Sequence, residues 1–339
     1  MPSRILDRHV GGNTTYARRI AQGLAELGHE VGRIPAMGNA PMTMVRETLE
    51  GLRKGLPNEV LHNVADTGLL VPGRRPTVVT VHGVASRWIQ GVRSPANEAV
   101  WRFRVGRAIR SANHVITVSN SSALDIQEVF DVSPEKITVI PHGIDIAKFS
   151  TPTEISPELQ ASIPERFALY LGNIEPRKNL DALVQAFNDP EIAGLNVPLI
   201  IAGKPAWDFK KTMETIEASI NVRHIGFVSD NDRTALMQRC SLFLFPSLYE
   251  GFGFPVLEAL AAGAVVASSR RGSLKEVGGP ALVLNELDTE GLIEGIREAL
   301  TDENKRSECL ERGRDWATGF SWKESVQAHV DVYESLLAA

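Results

Sequence analysis

The chain is poor in cysteine: Cys240 and Cys309 are the only two in 339 residues. Two thiols without C-x-x-C or Cys/His spacing exclude a disulfide framework and a structural zinc site, and they suit a reducing compartment. Long apolar runs are missing too. The nearest, residues 251–269, is broken by Pro255 and Glu258, so no segment reaches the ~18 uninterrupted apolar residues of a membrane span. The opening "MPSRILDRHVGG" lacks the apolar core of a secretory signal, and a cytoplasmic location is expected. G-x-G-x-x-G does not follow any first strand, and "GFGFP" stops at two glycines, so dinucleotide binding has no motif. Low-complexity tracts and solenoid-period repeats are absent as well.

What is present is an ordinary globular composition, 43% hydrophobic and 23% charged, in a chain too long for one comfortable core; two domains are expected. The net charge of −5 is unevenly placed. Residues 1–150 carry 18 Lys/Arg against 13 Asp/Glu, and the remainder 18 against 28, so the halves are expected to meet different partners. Short β-branched runs such as "TVVTVHG" (77–83), "HVITVS" (114–119) and "KITVIPHG" (136–143) alternate with helix-length segments. The rhythm resumes in "FALYLGN", "VPLIIAG", "VRHIGFV", "LFLFPS", "AVVASS" and "ALVL", with helices near 178–188, 208–218, 230–240 and 288–301. Such alternation predicts an α/β fold of parallel sheets covered by helices, here two doubly wound Rossmann-like α/β/α domains. A first strand is expected in "RILDRHV". The three prolines of "STPTEISPELQASIPE" place a linker at 151–165, between domains at 1–150 and 166–320, with an amphipathic helix at 321–339.

Two stretches carry chemistry. "GNIEPRKNL" (172–180) follows a predicted strand and leads into a helix, so Arg177 and Lys178 stand at the carboxyl end of a strand, where open α/β sheets bind ligands. A planar guanidinium beside a mobile ammonium suits a diphosphate. Taken alone, an Arg-Lys pair is more often a solvated turn. The second stretch, "PSLYEGFGFPVLEALAAG" (246–263), changes that balance. Gly251, Phe252 and Gly253 offer backbone amides, and Pro255 opens a helix whose N-terminus favours an anion. Glu250 and Glu258, the latter expected in the first helical turn, can each accept hydrogen bonds from neighbouring hydroxyls. Each acid singly could equally be a helix-dipole or turn carboxylate, and the two together could be the acid and nucleophile of a glycosidase.

These residues, taken together, resemble the retaining family 4 glycosyltransferases of GT-B architecture, in which a Glu, seven residues and a second Glu form the hallmark; Glu250 and Glu258 fit it. "GGNTTYARRIAQGLAELGHEV", "TVVTVHG" and "SPEKITVIPHGID" are similar to other family segments, so the likeness covers nearly the whole chain. The resemblance implies two domains facing across a cleft and a terminal helix returning to the first. It implies that Arg177 and Lys178 clamp the diphosphate, Glu258 binds the ribose and Glu250 contacts the donor sugar. Amides at Gly12, Phe252 and Gly253 would meet the phosphates, and His82 would line the reaction centre. A lone histidine is more often a satisfied structural residue. Gly83 stands where the family commonly has an acid.

The activity so implied is transfer of a sugar, mannose from GDP-mannose being the first expectation, from a nucleotide diphosphate donor to a glycan, lipid-linked or small-molecule acceptor. No cofactor and no metal are expected, with no D-x-D pair to hold one. A non-catalytic nucleotide-sugar-binding protein and a GT-B epimerase are the alternatives. Arg87, Arg93, Arg102, Arg104, Arg107 and Arg110 against Glu98 make residues 87–110 a candidate peripheral contact with the inner membrane face, weighed against a solvated helix. Nucleic-acid binding has neither motif nor favourable overall charge.

Overall fold

The computed structural model describes residues 1–7, 11–89 and 94–338. They form two compact units, Met1–Gly143 with Phe320–Ala339, and Ile144–Gly319.

The first unit contains four parallel strands, β1 (Leu61–Asn63), β2 (Thr77–Val81), β3 (His114–Thr117) and β4 (Ile137–Val139), side by side in that order. Alternation along each strand sorts the apolar residues between two cores. Val79, Val81 and Val115 pack with Val105 and Ile109 of the Pro95–Ser111 helix and Ile126 of Asn120–Phe130. Val78 and Ile116 pack on the other side with Val332 of the Trp322–Ala338 helix. Burial on both faces is why these strands read as near-continuous apolar runs. The terminal helix starts at a capping-box pattern, Ser321 to Glu324, with the Glu324 amide donating to Ser321 Oγ at 3.3 Å. Its Val326 and Val330 pack with Ile20 and Leu24 of the Gly12–Glu26 helix, so the chain's end does return to this unit.

At the N-terminus the described part of the expected strand "RILDRHV" is helical over Arg4–Leu6 instead. Ser3–Leu6 is one turn of helix whose Ile5 and Leu6 enter the core beside Tyr16, and residues 8–10 lie outside the described residues. β1, by contrast, was not expected: "LHN" has too little β-branched character to stand out.

The second unit holds six parallel strands: β5 (Ala168–Leu171), β6 (Leu199–Ala202), β7 (Val222–His224), β8 (Leu242–Phe245), β9 (Val266–Ser268) and β10 (Leu282–Val283). They lie in the order β10-β9-β8-β5-β6-β7. This is the doubly wound order in which connections diverge from the central pair, here β5 and β8. Residues 151–165, expected to link the domains, are fastened to this unit. The Thr153 amide donates to Gln238 Oε1 at 3.0 Å, the Ser156 amide to Asp232 Oδ1 at 2.8 Å, and Ile155 is buried. Prolines there shape an anchored strap with a short helix, Pro157–Ser162; the division between units falls at Gly143–Ile144. Among the described residues no helix is long and apolar enough to cross a membrane.

Candidate functional site

Where connections from neighbouring strands diverge, a doubly wound sheet leaves a crevice at the strands' carboxyl ends. Residues 172–179 follow β5 there and residues 246–253 follow β8. The two segments are bound to each other: the Leu248 amide donates to the Arg177 carbonyl, and Arg177 Nη1 to the Tyr249 carbonyl, both at 2.9 Å. Arg177 and Lys178 sit in the single 3-10 turn Pro176–Lys178. Asn179 ends that turn at φ 58°, a left-handed conformation asparagine tolerates, and starts the Leu180–Asn188 helix.

Glu250 reaches both cations. Its Oε2 accepts from Arg177 Nη1 at 2.6 Å and its Oε1 accepts from Lys178 Nζ. Glu175, which the sequence reading left without a role, holds the other edge of the guanidinium: its Oε1 accepts from Nη2 at 2.6 Å and from Nε at 3.0 Å. Lys178, Glu175 and Glu250 are each only 7% exposed, so the arrangement depends on pairing, since an isolated charge there would be expelled or neutralised. Burial opposes ionisation of Glu250, but Arg177 and Lys178 outweigh it and hold its pKa down at about 2. Lys178 is lowered, chiefly by burial and further by Arg177, against the pull of Glu250. Its ammonium also lies 4.8 Å from the centroid of the Phe245 ring.

The backbone carrying Glu250 is fixed from behind. Ser273 Oγ donates to the Phe252 carbonyl at 2.6 Å and to the Glu250 carbonyl at 3.0 Å, and the Ser273 amide donates to the same Glu250 oxygen at 3.1 Å. Gly272, at φ 60°, passes so close that a Cβ would lie 2.5 Å from that oxygen. On the other side Gly253, at φ 105°, caps the Phe254–Ala262 helix, where a Cβ would lie 2.6 Å from Leu274 Cδ2. Neither Gly272 nor Ser273 was singled out from sequence; "RRGSL" carries no motif.

Glu258 lies in the second turn of the Phe254–Ala262 helix, not the first as expected, because the helix starts at Phe254. Every residue from Val256 to Ala262 is buried, so a carboxylate here needs a partner. That partner is Arg233 of the Asp230–Arg239 helix, with which Glu258 forms an ion pair. Arg233 was missed in the sequence, where nothing connects it to position 258. Arg177, Lys178, Glu250, Gly251, Phe252, Gly253 and Glu258 therefore all belong to the second unit, on segments leaving β5 and β8.

Gly12 and His82 belong to the first unit. Gly12 opens the Gly12–Glu26 helix behind Gly11, whose φ of 124° suits glycine. His82, half-buried, follows β2: its amide donates to Asp66 Oδ1 at 2.9 Å, and Nε2 lies 3.1 Å from the Val64 carbonyl, which can only accept. Burial lowers its pKa against the pull of Asp66. The ring meets Tyr16 edge-on at 4.9 Å and lies 5.6 Å from His142. Gly83 has φ 144°, a conformation that side chains disfavour, which gives a backbone reason for the missing acid.

In the arginine-rich stretch 87–110, Arg87, Arg102 and Arg107 are engaged within the fold. Arg87 pairs with Asp125 at 2.9 Å and with Glu128, Arg102 with Glu98 at 2.6 Å, and Arg107 Nε donates to the Leu70 carbonyl at 2.8 Å. Arg93 lies outside the described residues. Contrary to expectation, the chain does contain a D-x-D pair, Asp230-Asn231-Asp232. Its carboxylates are occupied, Asp230 with Lys148 at 2.8 Å and Asp232 with Ser229 Oγ and the Ser156 amide, each at 2.8 Å.

The profile of the Glycosyl transferases group 1 family matches residues 153–316, and that of Glycosyltransferase Family 4 matches residues 59–148. The O-antigen chain mannosyltransferase B of Escherichia coli is 33% identical over 238 residues, which are 68% of this chain and 62% of that protein; the chain thus spans less than two thirds of this relative. Among solved structures, WaaG, a glycosyltransferase of lipopolysaccharide biosynthesis, superposes with a TM-score of 0.71 at 20% identity over 96% of this chain and 97% of its own. HepE of Anabaena, crystallised with UDP and glucose, gives 0.71 at 19% identity over 96% of each chain.

Proposed function

Because the chain belongs to the group 1, family 4 type of GT-B glycosyltransferase, we propose that it transfers a hexose from a nucleoside diphosphate sugar to an acceptor hydroxyl, with retention at the anomeric carbon. The observation that carries this reading is Glu250 held between Arg177 and Lys178 at the point where the second sheet's strand order reverses. Two of the carboxylate's acceptor sites are taken by the cations, and those remaining suit two sugar hydroxyls.

Arg177 and Lys178 face the diphosphate, joined by the amides of Gly251, Phe252 and Gly253; Gly12 keeps the phosphate role that the family resemblance alone implies for it. Glu258 takes the ribose diol, with Arg233 holding its carboxylate. His82 lines the reaction centre on the strength of the family resemblance. In the reaction the bond from the anomeric carbon to the diphosphate oxygen breaks, and a bond to the acceptor oxygen forms on the same face. The acceptor proton passes to the leaving diphosphate, so no side chain is needed as base. Charge developing on that leaving group is met by two cations and by backbone dipoles, in the manner of preorganised electrostatic stabilisation. Metal is therefore dispensable, and turnover is expected to survive EDTA; a strict magnesium requirement would overturn that point.

The named activity of the E. coli relative favours mannose, while the UDP found with HepE keeps uracil beside guanine as the base. A glycan, lipid-linked or small-molecule acceptor fits either. The two buried free thiols suit a cytoplasmic setting. The test is a thermal-shift panel of nucleoside diphosphates and their sugars, because a native-state ligand raises apparent stability. The donor so found is then incubated with hydroxylated acceptors, and nucleoside diphosphate and glycosylated product are both measured. Transfer with retained anomeric configuration is expected. Conversion of donor to an epimer without acceptor, or binding with no product, would refute the proposal.

A further inference from the structure

The Ala40–Leu52 helix is amphipathic in the reverse of the usual sense. Thr43, Glu47 and Gly51 turn inward, and Arg4 Nε pairs with Glu47 Oε1 at 2.7 Å beneath it. Its outward face is apolar: Met42, Val45, Leu49 and Leu52 follow 3-4-3 spacing along one stripe and are 50%, 51%, 57% and 38% exposed, with Leu56 beyond the helix end at 77%. Surface helices ordinarily show polar residues there, and a contiguous apolar patch on a folded chain marks an interaction surface.

Charge decides the partner. Arg46 and Arg53 lie one residue beyond Val45 and Leu52, along a single edge of the stripe, and Lys54 is exposed just after them. The acids of the stretch are drawn away: Glu50 and Glu59 both pair with Arg75, at 3.2 and 2.5 Å, Glu50 also reaching Arg53 at 3.0 Å, while Glu47 is held by Arg4. An apolar ridge with a basic edge matches the boundary between acyl chains and anionic headgroups, where Lys and Arg meet phosphates as the apolar side chains enter the hydrocarbon. A second copy fits less well. Four partly exposed side chains offer far less than the ~800 Å² per partner of a stable interface, and two-fold pairing would bring the basic edges together.

We infer that the Met42–Val45–Leu49–Leu52 stripe docks on an anionic lipid bilayer, as a peripheral contact lying in the interface plane. This places the membrane contact on a different helix from the 87–110 stretch, in which Arg87, Arg102 and Arg107 are engaged within the fold. The inference is independent of which sugar or acceptor the protein uses, since its readout is binding alone.

Co-sedimentation of the full chain with vesicles of phosphatidylcholine and phosphatidylglycerol in equal parts tests it. The wild type is expected to bind these vesicles, to bind pure phosphatidylcholine less, and to be released by salt as headgroup attraction is screened. The Val45→Glu/Leu49→Glu variant is expected to lose at least about tenfold in affinity. Because both side chains are exposed, its far-ultraviolet circular dichroism and melting midpoint should match the wild type; should it misfold, Leu49→Ser serves the same comparison. Phe103→Glu, on the 87–110 stretch, is expected to bind as wild type. The inference is overturned by a wild type that ignores anionic vesicles, by a folded stripe variant that binds undiminished, or by loss of binding in Phe103→Glu alone. A wild-type dimer in solution that the stripe variant splits would replace the bilayer by a second copy.

Discussion

A single carboxylate organises the proposed donor site. Glu250 keeps two cations at fixed positions while remaining ionised far below neutral pH, so its removal leaves Lys178 buried without its partner. Lys178→Ala is expected to reduce turnover by roughly a hundredfold or more, the scale of losing one preorganised donor to developing charge, and Glu250→Ala to reduce it strongly as well, by unpinning both cations and losing the contact to the donor sugar. Steady-state rates with circular dichroism as a folding control check this, and near-normal transfer by either variant would remove the residue from the assignment. The support behind Glu250 is separately testable. At Gly272 a methyl would lie 2.5 Å from the Glu250 carbonyl oxygen at a positive φ, so Gly272→Ala should destabilise by roughly 1–3 kcal/mol and impair transfer as well. Ser273→Ala, which deletes hydrogen bonds without a clash, should cost about 1 kcal/mol. Urea denaturation of both variants measures the difference, and equal losses would show that the clash is relieved elsewhere.

At the level of elements, the terminal helix is held by a network of neutral histidines. Tyr16 OH bonds Thr80 Oγ1 at 2.7 Å and His329 Nε2 at 2.8 Å, His62 bonds Thr80 and Tyr333, and His142 lies 5.9 Å from the Trp322 ring. Burial lowers the pKa of His62 and His142, and that of His329 to about 4. A histidine whose folded pKa lies below its unfolded value of about 6.5 binds fewer protons when folded. Its stabilising contribution is therefore complete above pH ~6.5 and declines as pH falls from there toward the folded value. Amide exchange in Trp322–Ala338, corrected for its intrinsic pH dependence, should accelerate between pH 7.5 and pH 5 more than in the Phe254–Ala262 helix, which has no histidine. Equal acceleration would assign the effect to the whole chain. None of this network was legible in the sequence, because its members stand at 16, 62, 80, 142, 329 and 333 without a spacing to connect them. The strands after β1 were legible because β-branched runs buried on both faces leave a dense apolar signature. The Glu303–Thr318 helix was not anticipated: its inward seam is Cys309, Gly313 and Ala317, small residues at helical spacing that give no large-residue periodicity. Among the site residues, Arg177, Lys178 and Glu250 were readable because a family pattern supplied the tertiary link, whereas Glu175, Arg233 and Ser273 act through contacts that no local pattern records.

On the scale of the whole molecule, the second unit is one continuous segment, Ile144–Gly319, set within a first unit made of two pieces. The first unit's core is incomplete until residues 320–339 arrive, because Val326, Val330 and Val332 cover Ile20, Leu24 and Ile116. The second unit has its own six-stranded sheet and holds every proposed diphosphate and ribose side chain. A chain ending at Gly319 is therefore expected to lose the first unit's slow-exchanging strands β2 and β3 while keeping β5 and β8 protected. It should also still be stabilised by the nucleoside diphosphate that stabilises the full chain, by about 2.7 kcal/mol at a hundredfold excess over Kd, since linkage depends on affinity for the native form of the unit that binds. Hydrogen exchange with and without nucleotide reads both outcomes in one experiment. If β5 and β8 stay protected but the nucleotide no longer slows their exchange, the first unit supplies the binding energy, and the pairing of Arg177, Lys178 and Glu250 is a structural ion-pair cluster rather than a diphosphate seat.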